Sequence, residues 1–370
     1  MTTPFEIFMV ATPGLEKALL AEALENGFVD AKVTPGGITT TGTWQDVWRA
    51  NLVMRGATRV LARVGSFMAF HLAQLDKRAR RFPWGDVLRP DVPVRVEVST
   101  SKKSKIYHAG AAAQRIETAL RESHSMTVSP DAPVAIKVRI DDNRVTISVD
   151  TSGESLHKRG HKEAVGKAPM RETLAALMLR ECGYDGSEPV LDPMCGSGTF
   201  LIEAAEIAMG LHPGRTRDFA FQQLATFDQS KWDAMRKVDH IHRPAQNFYG
   251  SDRDAGAIRM ATANAERAGV ADHTTFQNLS AADIKRPEGP PGLIICNPPY
   301  GGRIGSQKML YGVYAGLGEG IRREFSGWRV GIVTSDTGLA KATKLPFKPK
   351  GPAIPHGGLK VWLFRTDQLI

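Results

Sequence analysis

Hydrophobic residues follow two different rhythms along the 370-residue chain. Up to about residue 155 a period of two dominates. Val134, Ile136, Val138 and Ile140 share one face, Asp141-Asp142-Asn143 turns the chain, and Val145, Ile147 and Val149 return it. Such alternation predicts half-buried strands joined in a hairpin, and "VRVEVST" (94–100) repeats it. "FEIFMV" reads as a further strand, followed by a Pro-Gly turn and a helix that Gly27 closes. Helices are also predicted over "TWQDVWRANLVMR", with Thr43 as N-cap, and over "GAAAQRIETALRE". This region is α+β with antiparallel pairing, in two small modules.

From about residue 186 the texture changes. Short apolar strand cores ("PVLDPM", "NFYGSD", "TTFQN", "GLIICNPPY", "WRVGIVTSD") now alternate with helical stretches. In one of these, Leu310, Val313, Tyr314, Leu317, Ile321 and Phe325 recur at three- and four-residue steps as a single stripe. The alternation specifies an α/β, Rossmann-like, doubly wound sheet with right-handed crossovers. The last twenty residues offer a closing antiparallel strand. Residues 210–247 interrupt the first two units as an insertion.

Composition narrows the class. Hydrophobic content of 42% and charged content of 24% are those of globular protein. No run approaches the roughly 18 apolar residues of a membrane span, and the start lacks a signal peptide's basic and apolar regions. Three cysteines, Cys182, Cys195 and Cys296, form neither a disulfide framework nor a zinc motif. A cytoplasmic, metal-free protein is expected. Net charge is +9, and residues 77–105 hold nine Lys/Arg against three acids. That cluster, which includes Arg80, Arg81, Lys102, Lys103 and Lys105, is either a solvated face or a nucleic-acid footprint.

Three strand ends carry candidate chemistry. "VLDPMCGSGTF" (190–200) is a strand, a Gly-rich turn and a helix start, where backbone N–H groups can approach a ligand. It lacks the Gly-Lys-Ser/Thr of a P-loop. It also lacks a dinucleotide fingerprint, because Leu201 stands where the third glycine would and Asp252 lies 60 residues beyond Asp192. Asp252 ends the next strand, where a carboxylate can accept from both hydroxyls of a ribose or can cap the following helix. Asn278, after the third strand, can meet an adenine edge or merely turn the chain.

The fourth strand stops on Asn297-Pro298-Pro299-Tyr300. Proline ends strand pairing and stiffens the turn beyond the strand. The Asn297 side-chain oxygen and the Pro298 carbonyl can then accept both hydrogens of one exocyclic amine. Tyr300 offers a face for a planar base. Engaging both hydrogens draws the nitrogen lone pair out of ring conjugation, which suits methyl transfer to an aromatic amine.

"DPMCGSGTFLIEAA", "GSDRDAGAIRMATANAERAGV" and "CNPPYGGRIG" resemble the S-adenosylmethionine-dependent amino-methyltransferases. The N-terminal half, with "LHKRGHKEAVGKAPMRETLAALML", is similar to the THUMP-containing guanine-N2 RNA methyltransferases. The resemblance covers essentially the whole chain. It implies a ferredoxin-like segment (1–60), a THUMP RNA-binding domain (61–155) and a catalytic domain (156–370) entered through a connector (156–185). It also implies that Asp192, Pro193, Cys195, Gly196, Gly198 and Thr199 line the methionine end of the cofactor. Asp252 would hold the ribose, Arg253 would flank the adenine, and Asn297 would sit beside the methyl group. Many relatives carry Asp where Asn278 stands, so Asp283 is a reserve adenine contact. Arg159, His161, Pro169 and Arg171 would approach cofactor and RNA. The expected activity is methylation of guanosine N2 in ribosomal or transfer RNA, without metal. Adenine-N6 methylation of DNA or RNA uses the same motif but lacks a downstream DNA-reading domain here. A non-catalytic RNA-binding protein would show a degraded glycine turn or a broken Asn-Pro-Pro-Tyr.

Overall fold

The computed structural model describes residues 3–163, 170–237, 242–301 and 307–370. The chain forms two compact units. One comprises the chain up to Ala11, Leu20–Leu156 and Arg217–Lys237; the other comprises Thr12–Leu19, His157–Thr216 and the chain beyond residue 241.

The elements of the first half are β1 (Phe5–Val10), α1 (Glu16–Glu25), β2 (Lys32–Thr34), β3 (Gly37–Gly42) and α2 (Trp44–Val53). β4 (Arg59–Met68), α3 (Leu72–Arg80), β5 (Val94–Thr100), α4 (Ala109–His124), β6 (Val134–Asp141) and β7 (Arg144–Asp150) come next. Thr43 does precede α2, and the Asp46 carboxylate accepts from both its N–H and its hydroxyl at 2.9 and 3.0 Å. All seven strands join one sheet in the order β2-β3-β1-β4-β7-β6-β5. β4, which the sequence pattern did not reveal, links its two ends by pairing with both β1 and β7.

The expectation of antiparallel pairing holds except for β5 and β6, which run parallel. The reason is α4, a helical crossover between them. Asp142 and Asn143 both take positive φ, 48° and 61°, the geometry of a tight hairpin turn between β6 and β7. Ile136, Val138, Ile140, Val145, Ile147 and Val149 bury one face of the sheet. A groove of about 610 Å³ lies over the other, between Arg63, Lys137, Arg139 and Arg144.

The second half begins with α5 (Glu172–Glu181), β8 (Val190–Asp192) and α6 (Thr199–Ala208). The chain then crosses to the first unit, where it forms α7 (Gln229–Arg236). It returns as β9 (Phe248–Asp252), α8 (Ala255–Ala268), β10 (Thr274–Asn278), β11 (Leu293–Cys296), α9 (Gln307–Glu324), β12 (Arg329–Thr334), α10 (Thr337–Ala342), β13 (Ile354–His356) and β14 (Leu359–Arg365). The sheet order is β10-β9-β8-β11-β12-β14-β13. β8 to β12 are parallel and β14 closes antiparallel on β12, the doubly wound arrangement expected. The α9 stripe is buried at Leu310, Tyr314, Leu317, Ile321 and Phe325 against β11 and β12. No described helix is long and apolar enough to cross a membrane.

The insertion is the main surprise of the fold. Residues Arg217–Lys237 belong to the first unit rather than to the sheet they interrupt. Phe221 and Phe227 pack on Trp48 of α2 with ring centroids 6.0 and 5.6 Å apart, and Trp232 meets Phe221 at 5.0 Å. Phe221 N–H also donates to the Thr151 carbonyl at 3.0 Å.

Candidate functional site

β10, β9, β8 and β11 are parallel neighbours, so their C-terminal ends share one edge of the sheet. Asp192, Asp252, Asn278 and Asn297 leave the sheet there, at the edge where doubly wound sheets bind ligands.

The turn after β8 is tightly constructed. Cys195 N–H donates to the Ser251 carbonyl of β9 at 2.9 Å, and Gly198 N–H donates to the Cys195 carbonyl at 2.8 Å. Gly196 and Gly198 take φ of +52° and +84°, a region that favours glycine. Their surroundings differ. A Cβ on Gly198 would stand 3.2 Å from Ala261 Cβ, so this glycine lets α6 approach α8; one on Gly196 would meet nothing within 4 Å. The Gly196 side of the turn is open, with a backbone N–H at its base.

Asp252 answers the question its position raised. Its carboxylate accepts from Gly196 N–H at 3.1 Å and from Asp254 N–H at 3.0 Å. The cap of α8 is Asp254, which accepts from Gly256 N–H at 2.7 Å. Asp252 is therefore not spent on capping and stands half-buried beside the glycine turn. Arg253 next to it is exposed. Asn278 pairs in register with Asp252, and its amide donates to the Asp252 carbonyl at 2.8 Å. Asp283 is exposed in the following turn, its N–H donating to the Ser280 carbonyl at 3.0 Å. Asp192 is 2% exposed and accepts from Met194 N–H at 3.0 Å. Burial holds its carboxyl well above the usual range, and the charge of Asp252 adds to the rise. Pro193 is buried too.

Asn297 leaves the buried strand β11. Its Oδ1 is buried and has no hydrogen-bond partner among the described residues. An unmet buried acceptor costs about 1–3 kcal/mol, so this atom marks where a donor belongs. Pro298 is buried, Pro299 half-buried, and Tyr300 packs partly against the α9 core. Residues 302–305, which close the "CNPPYGGRIG" stretch, lie outside the described residues. Burial drives the Cys195 and Cys296 thiols well above their ordinary range, as expected of packing residues rather than nucleophiles.

The connector departs from expectation. Arg159 and His161 are 2% and 4% exposed and cannot touch RNA from where they stand. Arg159 donates Nε and Nη2 to Glu203 Oε1 of α6 at 3.2 and 3.0 Å. His161 Nε2 lies 3.6 Å from Glu206 Oε1. Arg171 is exposed at the start of α5. Burial and its charge push His157 down to about 4. Pro169 lies outside the described residues. In the first unit Arg80 is engaged by Asp76 and Glu122, both at 2.8 Å, whereas Arg81, Lys102, Lys103 and Lys105 are exposed.

A polar network behind the turn escaped the sequence reading. Lys162 Nζ donates to Thr199 Oγ1 at 2.9 Å and to the Met170 carbonyl at 2.8 Å, and pairs with Glu172 at 3.1 Å. Buried Asn264 donates to the Ser197 carbonyl at 3.0 Å, and Arg267 reaches the His161 carbonyl at 2.8 Å. The signal for Asn264 was present: it interrupts the buried stripe Ala257, Ala261, Ala265 and Ala268 of α8. Among the described residues no group of three His, Cys, Asp or Glu is placed to hold a metal.

Gly196→Val gives a direct test of the turn. It forces a β-branched side chain into positive φ and fills the open space. The wild type should gain about 2.7 kcal/mol at a hundredfold excess of S-adenosylhomocysteine over its Kd. The variant should show no ligand-dependent rise in melting temperature. A full shift in the variant would place the ligand elsewhere.

Residues 159–348 match the family model described as an RMKL-like methyltransferase domain, and residues 6–61 match an RlmL ferredoxin-like domain. A Synechocystis protein named as a candidate RNA methyltransferase is 31% identical over 99% of this chain and 97% of its own length. A Vibrio cholerae protein named ribosomal RNA large subunit methyltransferase K/L is 32% identical over 94% of this chain, which spans only 51% of that relative. Among solved structures, a candidate methylase from Clostridium difficile 630 superposes with a TM-score of 0.88 at 30% identity, covering 100% of this chain and 99% of that one. Another, a candidate methyltransferase bound to S-adenosylhomocysteine (SAH), gives 0.87 at 27% identity with both chains fully covered. An open glycine turn, a half-buried carboxylate beside it and an orphaned acceptor fit such a cofactor, and the chain belongs to the RMKL-like family of S-adenosylmethionine-dependent methyltransferases.

Proposed function

We propose that this protein methylates RNA, transferring a methyl group to the exocyclic N2 of a guanosine in ribosomal or transfer RNA of the cytoplasm. The observation that carries the reading is the Asn297 side-chain oxygen, buried and unpartnered at the sheet edge that also presents the glycine turn. The names of the Synechocystis and Vibrio relatives support RNA as the substrate class.

Bound S-adenosylmethionine supplies an electrophilic methyl group. The chain contributes position and electrostatics. Asp252 would accept from the ribose hydroxyls, with Arg253 beside the adenine and Asn278 or Asp283 at its edge. The backbone of Cys195 to Gly198, with Asp192, Pro193 and Thr199, would cradle the methionine end. Asn297 Oδ1 and the Pro298 carbonyl would accept the two amine hydrogens, aiming the nitrogen lone pair at the methyl carbon, and Pro299 would stiffen the turn. The amine held by Asn297 and Pro298 would take up the methyl carbon in place of the sulfonium sulfur, and its surplus proton would pass to water. Tyr300 would stack on the base. We assign 61–155 to a THUMP RNA-binding domain, with Arg81, Lys102, Lys103 and Lys105 as its exposed cations and Arg171 as the connector's.

Nucleoside mass spectrometry tests this. RNA from a deletion strain, incubated with the protein and cofactor, should gain N2-methylguanosine. N6-methyladenosine instead would move the activity to adenine, and no methylated nucleoside on any RNA or DNA would favour a binding protein.

A further inference from the structure

Asn143, in the β6–β7 turn, fastens two surface segments together. Its carbonyl accepts from Ala69 N–H at 2.9 Å, and its side-chain Oδ1 accepts from Lys105 N–H at 2.8 Å. Ser104 reinforces the join, its hydroxyl donating to the Ile140 carbonyl at 3.2 Å and accepting from Asn143 N–H at 3.3 Å. The β4–α3 segment and the loop after β5 are thereby fixed side by side through their backbones, and on the loop the Tyr107 ring rests 4.3 Å from that of His108.

Those side chains are unusual for a surface. Phe70 is 42% exposed on the first segment and Tyr107 is 66% exposed on the second. Lys105 Nζ stands 5.5 Å above the Phe70 ring, and Lys102 and Lys103 are exposed on the same loop. The local acids include Asp141, held below the ordinary carboxylate value by the Ser101 hydroxyl and Arg139, and exposed Asp142. Rings interleaved with cations suit a partner that carries planar apolar faces and negative charge together. Single-stranded nucleic acid has both, whereas paired bases hide their faces. A protein partner would need contiguous apolar surface, which the lysines interrupt.

We propose that Phe70 and Tyr107 are a stacking platform for unpaired bases of the RNA substrate, with Lys102, Lys103 and Lys105 on its phosphates. The proposal rests on the RNA-methyltransferase reading and adds what the first unit grips: single strand rather than duplex.

Fluorescence anisotropy of the full-length protein with a dodecamer of oligoadenylate, and with an RNA duplex of equal length, tests it across a salt series. Phe70→Ala and Tyr107→Ala should each weaken oligoadenylate binding by roughly 5- to 150-fold, the alanine cost of one base stack. Their salt slope and melting temperature should not move, and Phe70→Tyr and Tyr107→Phe should bind like wild type. Replacing the three lysines with alanine should flatten the slope by about 2. Unchanged oligoadenylate affinity without the rings, or a parallel loss of duplex binding, overturns the platform. If RNA methylation by wild type persists while the rings prove dispensable, the platform fails and the enzyme reading stands. If wild type binds oligoadenylate through the rings but methylates no RNA, the platform stands and the enzyme reading fails.

Discussion

Asn297→Ala should lower methyl transfer by about two to three orders of magnitude, the loss expected on removal of one preorganised polar contact to a transition state. Its effect on stability should be opposite to that of most buried substitutions. The Asn297 Oδ1 has no partner among the described residues, so alanine removes a desolvated acceptor rather than a hydrogen bond. The melting temperature should hold or rise, and cofactor affinity should change little, because the glycine turn and Asp252 lie on neighbouring strands. Tyr300→Ala should act on substrate engagement, at about 1–3 kcal/mol for one base stack. A variant of Asn297 that unfolds early, or that keeps its activity, would make the residue structural.

Arg159→Ala should cost about 3–5 kcal/mol of stability, because it removes one member of a buried ion pair with Glu203. Glu203, 1% exposed, sits on α6 directly behind the cofactor turn. The second unit should therefore melt roughly 6–20 °C earlier, at 2–4 °C for each kcal/mol in a domain of this size. S-adenosylhomocysteine should restore part of the loss, since it binds only the folded unit. Unchanged melting with a selective loss of RNA affinity would instead return Arg159 to the surface role its sequence suggested.

Why Arg159 misled is physical. The family resemblance set Arg159 against cofactor and RNA, and "LHKRGHKE" gives no sign of its partners, because Glu203 and Glu206 lie more than forty residues away inside a predicted helix. Charge pairing between distant segments leaves no periodic trace. The strand ends were legible because chemistry and backbone constraint coincide there: glycine at positive φ, an acid ending a strand, proline ending pairing. β4 was not, since a register shift between Arg63 and Gly65 breaks its alternation. β5 and β6 were legible as strands but not as a parallel pair, because a period of two fixes faces and says nothing of direction. The insertion was legible only as an interruption, because nothing in its sequence says that Phe221 and Phe227 pack on Trp48.

That segment has a consequence for synthesis on the ribosome. Trp48 receives Phe221 and Phe227 only after the chain has been extended about 70 residues beyond Leu156. At about 5–20 residues per second this is a delay of roughly 3–14 s. Through that interval the nascent first unit would hold the Trp48 seat empty, an apolar surface that a chaperone could recognise. A fragment ending at Leu156 would keep that seat empty permanently and should be poorly soluble, whereas supplying residues 217–237 as a separate peptide should restore it.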